Sequence, residues 1–163
     1  MTGIFYGSTT GNTEQLANDI AAQLGVASED IHNVGESSAD DVDGYDVLLL
    51  GSSTWGAGDL QDDWYDFLDS LKAKDLSGKK VGLFGCGDSG SYPDTFCGAL
   101  ADIHDQLEGT GCTFIGAYTP EDYDVTDSPV CENGQFVGLA IDESDPDKTD
   151  ARVAAWTELI KNA

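Results

Sequence analysis

Six consecutive residues, Ser8-Thr9-Thr10-Gly11-Asn12-Thr13, are polar or glycine, and four of them carry a hydroxyl. They follow the apolar run Gly3 to Gly7 and precede Leu16, Ile20 and Leu24 at four-residue spacing. That order predicts a buried strand, a tight loop and a helix beginning near Asn12. A helix N-terminus offers unpaired N–H groups and the positive end of the macrodipole, so with added hydroxyls it holds a phosphate without any cation. Ser and Thr also cap helices, but six such residues in a row exceed what a cap needs. The loop lacks the lysine of a nucleotide P-loop, which disfavours NTP hydrolysis and favours a monophosphate.

Two more loops carry aromatics. After the run Asp46 to Ser52 comes Ser53-Thr54-Trp55-Gly56-Ala57-Gly58-Asp59, and after Lys79 to Cys86 comes Gly85-Cys86-Gly87-Asp88-Ser89-Gly90-Ser91-Tyr92-Pro93. An exposed Trp55 would stack on a flat heterocycle, the bland alternative being a Trp folded onto the core. Gly85, Gly87 and Gly90 match G-x-G-x-x-G, but Pro93 and Asp94 delay the helix that a dinucleotide fingerprint should open at once.

These loops need a scaffold. Five apolar runs, adding Asp30 to Val34 and Thr113 to Tyr118 to the three above, alternate with amphipathic stretches. The helical faces are Leu16/Ile20/Leu24, Trp64/Phe67/Leu68/Leu71, Phe96/Leu100/Ile103/Leu107 and Val153/Trp156/Ile160, with a short Ser/Asp-rich piece at Ser38 to Val42. Strict alternation implies right-handed crossovers and a parallel sheet covered on both sides, a three-layer αβα fold of the α/β class. Ligands of such sheets bind at the carboxyl ends of the strands, where all three loops fall. The polar stretch 119–135 interrupts the pattern before Phe136 to Ile141 and reads as an insertion splitting the fifth strand. At 163 residues the chain suits one domain, 1–163.

Composition narrows the function. Thirty-one acidic against seven basic side chains give a formal charge of -24, and no Lys or Arg precedes Lys72. Nucleic acid and anionic membrane are therefore poor partners, and a basic one is expected. Absence of an apolar leader or an 18-residue apolar span points to a cytoplasmic chain. Cys86, Cys97, Cys112 and Cys131 show no metal-ligand spacing and read as free thiols. No catalytic constellation or metal cluster emerges, and His32 and His104 lie outside the three loops.

With Ser8, Thr10, Gly11 and Thr13 matching (S/T)-x-T-G-x-T after the first strand, and GCGD followed by Tyr92, the chain resembles the flavodoxins of long-chain type. The resemblance implies a five-stranded sheet of order 2-1-3-4-5 and a low-potential one-electron carrier that holds FMN non-covalently. It places the phosphate on Ser8, Thr9, Thr10, Gly11, Asn12 and Thr13. It places the ring between Trp55 and Tyr92, with Thr54, Gly56, Cys86, Gly87 and Asp88 beside it. The Gly56 carbonyl would turn toward flavin N5 on one-electron reduction, a flip glycine permits. A fully reduced ring is anionic, so Asp59, Asp62, Asp63, Asp66 and Asp88 would lower the potential, by about 59 mV for each 1.4 kcal/mol. Implied partners are redox proteins with basic docking surfaces, of the ferredoxin/flavodoxin-NADP reductase type, meeting a monomer. An FMN-dependent NAD(P)H:quinone oxidoreductase on the same fold is the alternative, and a receiver-type signalling domain a more distant one.

Overall fold

A computed structural model describes residues 1–8, 11–55, 59–91, 93–118, 123, 128, 130–132 and 134–163. β1 (Thr2–Gly7) lies inside a parallel array, paired with the edge strand β2 (Ile31–Asn33) on one side and the central strand β3 (Val47–Trp55) on the other. β3 pairs in turn with β5 (Lys80–Gly87). The fifth position is shared by two segments. β6 (Thr113–Ile115) runs along the first half of β5, and β9 (Leu139–Asp142) along the second. The order 2-1-3-4-5 expected from the resemblance is therefore observed, with the fifth strand split.

Period-two alternation sorts the side chains to two faces. Phe5, Leu48, Leu50, Val81 and Leu83 pack beneath α2 (Trp64–Leu71) and α3 (Gly98–Leu107). Ile4, Tyr6, Leu49, Phe84 and Cys86 pack beneath α1 (Asn12–Leu24) and α4 (Thr149–Lys161). Each helix presents the stripe its spacing predicts, since Trp64, Phe67, Leu68 and Leu71 are all buried, as are Val153, Trp156 and Ile160. Full burial of one such side chain contributes about 1.5–3 kcal/mol. The two buried indoles satisfy their N–H groups on glycine carbonyls, Trp64 on Gly51 at 2.7 Å and Trp156 on Gly116 at 2.8 Å. Gly51 must stay glycine because a Cβ there would come within 2.2 Å of the Phe84 ring.

Four segments depart from the sequence reading. Ser53 to Trp55, expected as loop, continues β3, because β4 (Asp59–Leu60) folds back antiparallel and supplies its hydrogen-bond partners. Buried Leu60 and the bond from Gln61 N–H to the Ser52 hydroxyl anchor that return. The second run yields only three strand residues. A 3₁₀ turn, Val34–Glu36, ends it, with the Asn33 side chain accepting the Gly35 N–H. Ser38 to Val42 becomes the 3₁₀ helix Ala39–Gly44, begun by a reciprocal Ser38/Asp41 cap. The fifth run stops at Ile115, since Gly116 turns at φ 75 under Trp156. Beyond it, Tyr118 and Phe136 exchange backbone bonds, and β7 (Cys131–Glu132) pairs with β8 (Gln135–Phe136).

Candidate functional site

Register places the three loops side by side. Gly7 pairs with Ser52 and Ser53 with Cys86, so β1, β3 and β5 end together and Ser8, Thr54 and Gly87 emerge at one end of the sheet. Of the site residues expected from sequence, Thr9, Thr10, Gly56 and Tyr92 lie outside the described residues, as do Ala57 and Gly58. Trp55 closes β3 with its backbone.

α1 begins without a side-chain cap. Gly11, at φ 92, occupies the N-cap in a left-handed conformation that costs other residues about 1–2 kcal/mol. Its N–H donates to the Ser8 hydroxyl at 3.0 Å, which leaves the hydroxyl proton of Ser8 to donate elsewhere. The Thr13 hydroxyl is buried and finds no hydrogen-bonding nitrogen or oxygen among the described residues. It lies against the Cys86 thiol. Asn12 donates through Nδ2 to Glu143, which follows β9. Ser8, Asn12 and Thr13 are thus neutral donors, of which Ser8 and Thr13 lack a full complement of protein partners, while the one acid of the first turn, Glu14, accepts the Tyr6 hydroxyl at 3.2 Å.

Thr54 and Cys86 turn inward. Thr54 Oγ1 accepts the Ala99 N–H at 3.2 Å and so holds the first turn of α3. Cys86 is buried under α1, and burial, with the Glu143 charge second, pushes its thiol up to about 12. Gly87 has no room for a side chain, since a Cβ would lie 3.0 Å from both the backbone nitrogen and the sulfur of Cys97.

The Asp88–Ser91 loop is held by two carboxylates. Asp88 Oδ1 accepts the N–H groups of Gly90 and Ser91 at 3.0 and 3.1 Å. From the neighbouring strand β9, Asp142 Oδ1 accepts the Ser89 N–H at 3.1 Å and Oδ2 accepts the Ser89 hydroxyl. Asp142 also accepts the N–H and hydroxyl of Ser144 at 3.0 and 2.7 Å. Only 2% of Asp142 is exposed. Burial raises its pKa, but the hydrogen bonds from Ser89 and Ser144 outweigh that and hold the carboxyl below the usual range. Sequence reading missed this residue as part of the site. The available signal was an acid closing the apolar run Leu139-Ala140-Ile141.

The family profile described as Flavodoxin matches residues 4–156. The chain belongs to the flavodoxin family. Flavodoxin 1 of Salmonella typhimurium is 45% identical over 162 residues, covering 98% of this chain and 92% of that protein. The flavodoxin of a Synechocystis species is 40% identical over 161 residues, covering 98% and 95%. Among solved structures, Fusobacterium nucleatum flavodoxin bound to flavin mononucleotide superposes with a TM-score of 0.89 at 29% identity, covering 99% of this chain and 96% of that one. As a flavodoxin the chain is a flavin-dependent electron carrier serving redox partners, not an enzyme. The quinone oxidoreductase alternative is not favoured.

The electrostatics suit that family. All seven basic side chains are paired with carboxylates or backbone carbonyls. Lys72, Lys74 and Lys161 meet Asp or Glu carboxylates, Lys79 and Lys80 meet backbone carbonyls, and Lys148 and Arg152 share Asp145. A mostly apolar groove of about 330 Å³ flanks the head of α1, between Asn12, Leu16, Cys86, Ile141 and Glu143. A second cavity of about 230 Å³, under His104 and Phe114, shares no residue with the three loops. His104 there faces Asp105 and Glu108 at 3.6 and 3.4 Å, close to the C-terminal end of α3. Among the described residues, no helix is long and apolar enough to cross a membrane.

Proposed function

We propose that this flavodoxin binds one FMN non-covalently across the carboxyl ends of β1, β3 and β5. The observation that carries the reading is the uncapped head of α1, where the buried Thr13 hydroxyl lacks an oxygen or nitrogen partner and the Ser8 hydroxyl keeps a proton to give. A phosphate answers both needs, and Ser8, Thr9, Thr10, Gly11, Asn12 and Thr13 are the residues that hold it. Thr54, Trp55 and Gly56 flank the ring on one side, and Cys86, Gly87, Asp88 and Tyr92 on the other. When bound, FMN supplies the one-electron chemistry.

The protein's part is to seat the ring, exclude water from it and set its electrostatic surroundings. Cys86 and Thr54, whose side chains are engaged inward, contribute through the backbone. The absence of a free cation among the described residues keeps the potential low, because negative charge added to the ring finds no counter-charge. The chain acts as a single cytoplasmic domain in which 119–135 is an insertion, a reading supported by β6 and β9 lying in succession along β5. Asp62, Asp63 and Asp66, around a pocket of about 370 Å³, give basic redox proteins of the ferredoxin/flavodoxin-NADP reductase type a surface to approach. The carrier works as a monomer.

Titration of the protein with FMN, read as quenching of flavin fluorescence, is expected to saturate at one equivalent. A protein that leaves FMN fluorescence unchanged at micromolar concentration would refute the proposal.

A further inference from the structure

We propose that Asp142 is the positioning residue of the Asp88–Ser91 loop, its buried carboxylate holding that loop in the shape that receives the flavin ring. The inference rests on the reading above that this loop flanks the ring. A Ser-Gly-Ser tract has little of its own to hold one conformation, since glycine samples both signs of φ and neither serine has an apolar side chain to bury. Asp88 closes only the tip, through Gly90 and Ser91. The root, at Ser89, is closed by Asp142, 53 residues away in sequence.

The strand pairing makes that reach possible. Gly87 and Asp142 are register partners, and Glu143 N–H donates to Gly87 O at 2.8 Å, so the last residue of β9 sits beside the first turn of the loop. Burying a carboxylate without a cation is costly unless its lone pairs are filled. Here they are filled by four donors from Ser89 and Ser144, and the two serine hydroxyls also meet each other at 3.0 Å. Removing the carboxylate would strand two backbone N–H groups, which is why the loop follows Asp142. With Asp142 in place, the amides of Ser89, Gly90 and Ser91 are all committed to carboxylates.

Charge and tether predict opposite results, which makes the role decidable. Were Asp142 important for its charge, neutralising it would tighten the hold on an anionic ligand and raise the potential. As a tether, its loss loosens the ring. The test compares Asp142→Ala, which removes both carboxylate oxygens, with Ser89→Ala, which keeps the charge and removes the hydroxyl tether. FMN and riboflavin are titrated separately, and both one-electron potentials are measured with FMN saturating. Both variants should bind FMN and riboflavin about tenfold more weakly and by the same factor, because riboflavin shares the ring and lacks the phosphate. Their potentials should differ from those of the unaltered protein. Asp142→Ala binding as tightly as the parent or tighter, or a loss confined to FMN, would overturn the role. Should Asp142→Ala fail to fold, Ser89→Ala with unchanged riboflavin affinity and potentials would overturn it alone. A parent protein that does not bind FMN would instead sink the cofactor reading, on which this one stands.

Discussion

At the residue scale, the buried Thr13 hydroxyl separates the needs of the fold from those of the ligand. Valine has nearly the same shape and no polar atom, so Thr13→Val should change apoprotein stability by no more than about 1 kcal/mol, because only the weak contact with the Cys86 thiol is lost and no hydrogen bond to nitrogen or oxygen. FMN affinity should fall about tenfold while riboflavin affinity stays unchanged; urea unfolding and the two titrations check this. Tyr45, Tyr123 and the buried thiols Cys86 and Cys97 govern the alkaline limb, burial being the first cause of the upward shift at each. Burial, with the Asp30 hydrogen bond second, pushes the Tyr45 hydroxyl up to about 12, and burial does the same for the Cys86 thiol. Both folded-state values lie above the unfolded ones of about 10 and 8.5. Each group's contribution is therefore complete below its unfolded pKa and is lost as pH rises toward 12. Urea midpoints should decline from about pH 8.5 upward, and the first part of the decline should be absent only when Cys86 and Cys97 are both replaced by alanine. A midpoint flat to pH 11 would contradict this.

At the element scale, Arg152 on α4 ties the helix to two loops. Its guanidinium lies 3.7 Å from the centre of the Tyr123 ring and 3.5 Å from Asp145, and only 3% of its side chain is exposed. Tyr123 in turn donates to the Ala140 carbonyl of β9 at 2.6 Å. Arg152→Ala should cost about 2–4 kcal/mol through lost packing and cation–π contact, and Arg152→Lys about 1 kcal/mol, because lysine keeps the charge but not the planar stack. Chemical denaturation resolves both. The helices themselves were legible in sequence, since Leu16, Trp64, Leu100 and Trp156 fall on faces that only a 3.6-residue period aligns. Strand ends were less so. Ser53 to Trp55 reads as loop by composition, yet becomes strand because Asp59 and Leu60 return to pair with it.

At the scale of the whole molecule, charge is distributed unevenly. Lys72 and Lys74 follow α2, Lys79 and Lys80 stand at the start of β5, and Lys161 closes α4, which gathers five of the seven cations at the end of the sheet opposite the three loops. A net charge of -24 on a chain of this size opposes compaction. Raising the salt from about 0.1 to 1 M shortens the Debye length from about 10 to 3 Å. The melting temperature should therefore rise, by about 2–4 °C for each 1 kcal/mol of repulsion removed. NaCl and KCl should act alike in thermal melts, because screening depends on ionic strength; a salt-independent melting temperature would show that the self-repulsion is negligible.

The amino-acid sequence by itself determined the alternation of strand and helix, the faces of the helices and the placing of Ser8 to Thr13 between a strand and α1. These follow from periodicity and from residue types that act on their near neighbours. Only the tertiary structure decided that Asp142 holds Ser89, that Thr54 holds the start of α3 and which acids the cations pair with. Such pairings depend on which strand ends lie side by side, and register across a sheet is set by the topology of the whole chain rather than by any local run.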